Sequence, residues 1–448
     1  MREILFQYEP VNPTTWAYLA SLLMIAVYFK FNRFFSVRNA DLIGLISLAP
    51  ALLMVQFGRV HADSLTVEHA GYIWLFVVSG LFMLRLLLDS LMVRRPLLEP
   101  NLSAGGLTFL GISLFVFLMA NVSIGEPDAA GVAGSARAAD LAQRESSEDE
   151  LNSLQTHGPG FPLLFLLPQI STQSVLGESA QQATVVTNED QTSTEAPLVH
   201  VVTARIVAIL SQLAIVIGLV LVGLRHFDNV KTGVAAATMY LLLPYTAMWT
   251  GSVTHVLPGA LVVWAVVWYR WPLLSGAMIG LAFGTIYYPI FLLPLWISFY
   301  WQRGLWRFLI GIGTMLAILL VADGFTVGSR QEFFAHLQQM FNLGLPAMDG
   351  VAGPWGVFWP QIYRFPLVAA HIGLSLSMAL WPAQKNLGTL LAYSAALMLG
   401  TQFWHAHSGG LALAWYLPLL MLTTFRPNLE DRTALAVVRR WGRAPVEA

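Results

Sequence analysis

The sequence predicts an all-α protein, a polytopic bundle of about 12–13 transmembrane helices. The chain has 448 residues, of which 56% are hydrophobic and 11% are charged, and its mean hydropathy is +0.63. Soluble domains carry about 25% charged residues. A soluble core of this length cannot hide so much apolar surface, whereas lipid is itself an apolar solvent. Lipid-embedded helices also satisfy their own backbone polar groups.

A membrane-spanning helix needs about 20 mostly apolar residues. Two of the apolar runs, Pro272–Thr285 and Pro289–Tyr300, are short, and Pro289 cannot donate within a helix, so they predict a broken helical hairpin. The candidate spans begin near Thr15, Asp41, Gly71, Ala104, Val201, Thr232, Val253, Pro272, Pro289, Trp306, Pro366, Asn386 and Gly410.

Basic residues fall at alternate junctions between these spans, and basic junctions stay in the cytosol. The orientation that follows places the N-terminus outside and the C-terminus in the cytoplasm. No cleavable signal peptide is expected, because no small-residue cleavage site follows the first apolar run. The basic positions are Lys30, Arg33, Arg38, Arg94, Arg95, Arg225, Lys231, Arg270, Arg303, Arg307, Lys385, Arg426, Arg432, Arg439, Arg440 and Arg443.

Five regions follow from this division. Residues 1–103 form a three-span N-terminal extension, and residues 104–323 form a core whose outer loop, 122–200, contains an acidic cluster at 145–150. Residues 324–364 form a second outer loop, residues 365–425 the C-terminal spans, and residues 426–448 a basic cytoplasmic tail. Helical spacing of apolar residues in the second outer loop predicts an interfacial helix. These apolar residues are Phe333, Phe334, Leu337, Met340 and Phe341.

Several functions are excluded by composition and by missing motifs. The net charge of −1 gives no basic field for nucleic acid. The chain has no cysteine, which excludes disulfides, iron–sulfur ligation and thiol chemistry. It also has no P-loop, dinucleotide fingerprint or zinc-protease motif.

The first outer loop carries candidate catalytic residues. A carboxylate at a membrane mouth, Glu126 or Asp128, can act as a general base, although acids in loops are most often only solvated. The Gly- and Pro-rich segment from His157 to Pro162 predicts a rigid turn rather than a helix. The alternative for this segment is a re-entrant plug that closes the bundle.

Arg205 lies near the outer end of the fifth predicted span, where a cation has three possible partners. It can hold a lipid phosphate bidentately, reach lipid headgroups, or pair with Glu195. His255 lies at another outer junction, and His405 and His407 lie at a third. A His-x-His pair without a nearby third ligand is weak evidence for a metal, so no metal site is assigned.

Two further patterns predict packing inside the bundle. Arg85 and Asp89 are four residues apart on one helical face, which indicates an ion pair, with a proton relay as the alternative. Gly276, Gly280 and Gly284 recur at every fourth residue, which favours close approach of a second helix.

From Ala104 to Phe308 the chain resembles the GT-C superfamily of membrane glycosyltransferases, in its polyprenyl-phosphate-sugar-dependent, mannosyltransferase-like branch. In that superfamily one span is followed by a long outer loop that opens with an acid, and then by a run of short-looped spans. The segments that carry the resemblance are Ala104–Ser123, Glu126 or Asp128, His157–Pro162, Val202–Val207, Leu242-Leu243-Pro244 and Leu273–Ala282.

The resemblance implies a bundle with a GT-C-like core and an inverting sugar transfer on the extracytoplasmic face of a bacterial inner membrane. Asp128 or Glu126 would deprotonate the acceptor hydroxyl, and Arg205 would offset charge on the departing lipid phosphate. His157, His255 and Tyr288 are the other expected substrate-binding residues. The expected partners are membrane lipid and a lipid-linked sugar as donor substrate. No cofactor is assigned, and a divalent metal requirement stays open.

Two other functions remain as alternatives. In the first, the chain is a non-catalytic, GT-C-like subunit or scaffold of a larger membrane complex, and its extra spans and acidic loop are docking surface. In the second, it transports a lipid-linked substrate, which predicts polar residues near mid-span along a path. Only Arg85 and Asp89 approach that pattern.

Overall fold

Helices make up almost the whole of the described structure. The structure, a computed structural model, describes residues 12–92, 99–143, 157–187, 193–326, 351, 353–406 and 409–427. These residues form 17 α-helices and one two-stranded hairpin, which confirms the predicted all-α class. The predicted interfacial helix at 333–341, the acidic cluster at 145–150, His407 and most of the basic tail lie outside the described residues.

The helices, in chain order, are α1 (Pro13–Tyr28), α2 (Val37–Val60), α3 (Leu65–Leu87), α4 (Ala104–Ile124), α5 (Ala129–Gln143), α6 (Gly160–Leu176), α7 (Leu198–His226), α8 (Val230–Leu242) and α9 (Pro244–Met248). They continue with α10 (Val253–Val267), α11 (Pro272–Thr285), α12 (Leu293–Tyr300), α13 (Leu305–Thr326), α14 (Pro354–Val357), α15 (Arg364–Leu380), α16 (Leu387–Thr401) and α17 (Leu417–Phe425). The hairpin pairs β1 (Ala183–Thr187) with β2 (Ser193–Pro197) in antiparallel register.

Each of the thirteen predicted spans corresponds to a helix, but the helices fall into two length classes. In the described part of the chain, six helical segments are long and apolar enough to cross a bilayer, as in an integral membrane protein. The shorter ones include α16, in which every residue is buried. Helices that face lipid must match the bilayer thickness, whereas helices enclosed by protein need not. The six long segments are Val37–Val60, Leu65–Leu91, Ala104–Ile124, Leu198–His226, Leu305–Ala322 and Gln361–Leu380.

A buried ionic network joins the start of α2, the end of α3 and the end of α17 at one end of the bundle. Arg85 Nε lies 3.0 Å from Asp41 Oδ1, and Arg85 Nη1 lies 2.8 Å from Asp89 Oδ1, which confirms the predicted ion pair. Arg426 Nη2 contacts the second oxygen of Asp89 at 2.5 Å. The Arg426 guanidinium also packs against Gly388, next to the loop that carries Lys385. We call this end, with Arg85, Lys385 and Arg426, the basic end.

The glycine-rich face of α11 packs directly on α13, as the spacing predicts. A Cβ atom on Gly276 would lie 2.1 Å from the carbonyl oxygen of Phe308, and one on Gly280 would lie 3.1 Å from Ile312. From the other side, a Cβ on Gly311 would lie 2.1 Å from the carbonyl oxygen of Leu273. Only glycine permits two helix backbones to approach this closely.

In its described residues, the predicted outer loop 122–200 contains α5, α6 and the β1–β2 hairpin, all packed against α7. The prediction that the whole segment from His157 to Pro162 forms a turn is wrong, because α6 begins at Gly160. Pro162 lies in the first turn of α6, where a backbone N–H has no helical partner in any case, so proline is tolerated there.

Candidate functional site

A cavity of about 250 Å³ opens at the end of the bundle opposite the basic end. Its wall comes from the first turns of α1, the last turn of α4 and the segment from α9 to the start of α10. Among these lining residues Glu126 is the only one with a charged side chain. The lining residues are Pro13, Trp16, Asn121, Val122, Gly125, Glu126, Ala247, Met248, Thr250 and Gly251.

Glu126 reaches this wall because the chain between α4 and α5 is short and not helical. The Gly125 N–H donates to the carbonyl oxygen of Asn121 at 2.7 Å and closes the last turn of α4. Pro127 lacks an N–H and favours an extended conformation in the residue before it, so the helix does not continue through Glu126. The carboxylate is thus held at the end of a membrane-spanning helix, beside the cavity.

Asp128 has a different environment from Glu126. Its Oδ2 accepts the N–H of Gly131 at 2.9 Å, which caps the first turn of α5. The same oxygen accepts the N–H of Val253, the first residue of α10, at 3.2 Å. Asp128 is not among the residues that line the cavity. The two acids that the sequence left as alternatives therefore separate, with Glu126 at the cavity and Asp128 joining two helix N-termini.

Arg205 lies on α7, half-buried, next to the wall of the cavity. Its Nη2 donates to the carbonyl oxygen of Gly125 at 2.7 Å, and Gly125 itself lines the cavity. The buried Nε of Arg205 has no hydrogen-bond partner among the described residues. No described carboxylate forms an ion pair with Arg205, so the pair with Glu195, one of the three alternatives for this side chain, is not present. The guanidinium contacts the cavity wall through Gly125 and does not itself line the cavity.

His157 does not line the cavity and instead helps to attach α6 to α11. Its ring stacks on Phe161 with centroids 4.5 Å apart. The adjacent Gly158 N–H donates to the carbonyl oxygen of Thr285 at 2.9 Å. A Cβ on Gly158 would lie 2.2 Å from the carbonyl oxygen of Gly284, so this close approach requires glycine. The predicted substrate-binding role of His157 has no support in this geometry.

His255 is buried behind the cavity wall. Its Nδ1 and the hydroxyl of Tyr245 are 2.9 Å apart, and its ring stacks on Trp249 with centroids 6.1 Å apart. Tyr245 belongs to α9, the helix that contributes Ala247 and Met248 to the wall. His255 therefore positions α9, and it is not itself a lining residue.

Tyr288 also lies away from the cavity, in an aromatic cluster. Its ring centroid is 4.9 Å from that of His405 and 5.1 Å from that of Trp415. The Trp415 Nε1 donates to the carbonyl oxygen of Thr254 at 3.0 Å, which joins this cluster to α10. Within the described part of the chain, no group of three or more His, Asp or Glu side chains is arranged to hold a metal ion.

The residues that α1 contributes to the cavity were not predicted from the sequence. Pro13 and Trp16 lie more than 100 residues before Glu126 in the chain, and α1 was assigned to a separate extension. The available signal was weak: Trp16 stands at the predicted outer end of the first span, where tryptophan is common in membrane proteins.

No protein-family model, curated protein sequence or solved structure matches this chain. The resemblance to the GT-C superfamily therefore depends on the quoted sequence segments alone.

Proposed function

We propose that the protein is an integral membrane glycosyltransferase that moves a sugar from a polyprenyl-phosphate donor to an acceptor hydroxyl. The observation that carries this proposal is the position of Glu126, the sole charged side chain in the lining of the cavity. A single carboxylate in a mostly apolar cavity is the arrangement expected of a general base in a small-molecule site. The GT-C-like sequence segments supply the substrate class.

In this mechanism Glu126 removes the proton from the acceptor hydroxyl as its oxygen attacks the anomeric carbon of the donor. The bond between that carbon and the phosphate oxygen breaks, and the polyprenyl phosphate leaves with the bonding electrons. The configuration at the anomeric carbon inverts. Positioned general bases contribute about 10²–10⁴-fold to rates of this kind.

Arg205 is the group that offsets charge on the departing phosphate. It lies directly behind Gly125, and its only hydrogen bond to a described residue uses one nitrogen, Nη2. The planar guanidinium has donors left for a phosphate oxygen, and such charge-assisted bonds are stronger than neutral ones. This role requires a small movement of the Arg205 side chain toward the phosphate, which lies beside Gly125 at the edge of the cavity when the donor binds.

The proposed location is the extracytoplasmic face of a bacterial inner membrane. The basic end also carries Lys30 and Arg33 in the connection from α1 to α2 and Arg303 in the turn before α13, and positively charged junctions favour the cytosol. The cavity at the opposite end then faces outward, where a lipid-linked sugar donor is used in the GT-C superfamily.

The test is reconstitution of the purified protein in liposomes with radiolabelled polyprenyl-phosphate mannose or glucose and a mixture of membrane-derived acceptors. We expect release of polyprenyl phosphate and label in the acceptor fraction, with both reduced in Arg205→Met. Heat-denatured protein gives the background. If lipid-linked sugar consumption by the folded protein equals that background for both sugars, the transferase proposal is wrong and a non-catalytic role replaces it.

A further inference from the structure

Helix α1 contributes a fixed wall to the Glu126 cavity. The Trp16 ring stacks on Phe117 of α4, with centroids 5.2 Å apart and planes 18° apart. The start of the helix is capped by Asn12, whose side chain accepts the Thr14 N–H at 2.8 Å. A stacked ring on a capped helix is held in one orientation. Trp16 can therefore present a defined surface to whatever enters the cavity.

The charge of the lining limits what can bind. Glu126 is negative when ionised, and no lining residue is basic. Like charges a few ångströms apart repel each other, and water around the exposed Glu126 side chain reduces this repulsion without reversing it. Arg205 donates a hydrogen bond to Gly125 from behind the cavity wall, and it is not one of the lining residues. An anionic group is thus disfavoured inside the cavity itself.

The remaining lining is apolar with a few neutral polar groups. Pro13, Val122, Ala247 and Met248 supply apolar surface, and Thr250 supplies a hydroxyl-bearing side chain. Aromatic side chains combine a large apolar face with a polar edge, which suits a ligand that has both characters. A hydroxyl-bearing ring offers C–H groups to such a face and hydroxyl groups to a carboxylate.

We propose that Trp16 is a specificity-determining residue of this cavity, and that the cavity receives the neutral, hydroxyl-bearing acceptor rather than the phosphate of the donor. This inference rests on the proposed transferase function. Helix α1 completes the site, and the N-terminal region is not merely an addition to the core.

The absence of cysteine from the chain allows a direct binding test in lipid nanodiscs. Ala247→Cys places one thiol in the cavity wall, and Ser174→Cys places one on an exposed position of α6. The rate of modification by N-ethylmaleimide is measured with methyl α-D-mannopyranoside, with methyl β-D-glucopyranoside, and with α-D-mannose 1-phosphate. No donor is present, so the result does not depend on transfer.

We expect at least one neutral glycoside to slow modification of Ala247→Cys several-fold, with mannose 1-phosphate less effective and Ser174→Cys unaffected. Trp16→Leu, which keeps an apolar side chain, should weaken this protection about fivefold or more, the size of one lost contact of about 1 kcal/mol. Trp306→Leu, a change at an exposed tryptophan on α13, should leave the protection by the glycoside unchanged.

Equal or stronger protection by mannose 1-phosphate overturns the inference, as does protection by neither glycoside. Full protection in a folded Trp16→Leu variant overturns the role of Trp16. Transfer without protection removes this inference and leaves the proposed function. Protection without transfer removes the transferase function and leaves only a binding site for a neutral glycoside in the cavity.

Discussion

Asp128 and Val253 are 125 residues apart in the chain, and the Val253 N–H donates to Asp128 Oδ2 at 3.2 Å. The same oxygen caps α5 through the Gly131 N–H. One carboxylate thereby fixes the position of α5 relative to α10. The turn that precedes it holds Glu126 at the cavity, so Asp128 supports the site without lining it.

Replacement of Asp128 should therefore affect stability. Loss of an N-cap side chain costs about 0.5–2 kcal/mol, and here two helix ends share the acceptor. We expect Asp128→Ala to lower the free energy of unfolding by about 1–2 kcal/mol. Asn is an equally good N-cap, so Asp128→Asn should retain most of the stability. Thermal unfolding in detergent measures both, and an Asp128→Ala variant as stable as the wild type contradicts the capping role.

Asp89 should be one of the most sensitive positions at the basic end. It is 1% exposed and contacts both Arg85 and Arg426. Removal of one partner from a buried ion pair leaves an uncompensated charge and costs about 3–5 kcal/mol. We expect Asp89→Ala to lose stability on that scale in a chemical unfolding experiment. The exposed Glu178→Gln control should change stability by less than about 0.5 kcal/mol. Equal stability of the two variants would show that the ionic network does not stabilise the fold.

Two glycines on α13 provide a matched test of helix packing. Gly311 meets the backbone of α11, whereas a Cβ on Gly313 would meet no atom within 4 Å. We expect Gly311→Ala to separate the helices and to destabilise the protein by about 1–3 kcal/mol. Gly313→Ala should be neutral or stabilising by about 0.5–1 kcal/mol, because alanine favours a helix more than glycine does. Thermal unfolding measures the stability of both variants. A Gly311→Ala variant more stable than Gly313→Ala would contradict the close packing of α11 on α13.

The orientation of the bundle can be measured by labelling of single cysteines, since the chain has none of its own. Ser174→Cys lies on α6, at the same end of the bundle as the cavity. Gln302→Cys lies beside Arg303 in the turn between α12 and α13, at the basic end. In intact cells we expect a membrane-impermeant maleimide to label only Ser174→Cys. Gln302→Cys should react after permeabilisation. The opposite pattern places the cavity in the cytoplasm and excludes an extracytoplasmic reaction.

The helices could be predicted from the sequence because hydropathy and proline positions are local signals. The break before Pro289 is a case in point: α11 ends at Thr285 and a 3₁₀ turn covers Tyr288–Leu292. Only the Arg85–Asp89 pair of the ionic network could be predicted from the sequence. Arg85 and Asp89 are four residues apart, but Asp41 lies 44 residues before Arg85 and Arg426 lies 337 residues after Asp89.

The cavity was less predictable than the helices, because its wall combines residues that are distant in the chain. Glu126 was chosen as a candidate from its place in the chain, and the structure places it in the lining of the cavity. The sequence also indicates His157, His255 and Tyr288, but each of them packs against other side chains and does not line the cavity. Their positions follow from contacts with Phe161, Tyr245 and Trp415, and the last two of these partners belong to other elements of the fold. Trp16 was missed because its partners come from distant helices.

Single-turnover sugar transfer by Glu126→Gln tests the central claim most directly. Gln keeps the size of the side chain and removes the base, so we expect transfer to fall about 10²–10⁴-fold. Asp128→Asn, which keeps both helix caps, should retain a rate close to that of the wild type, as should the surface control Glu178→Gln. A wild-type rate in folded Glu126→Gln, or a loss of activity confined to Asp128→Asn, would contradict the assignment of Glu126 as the general base.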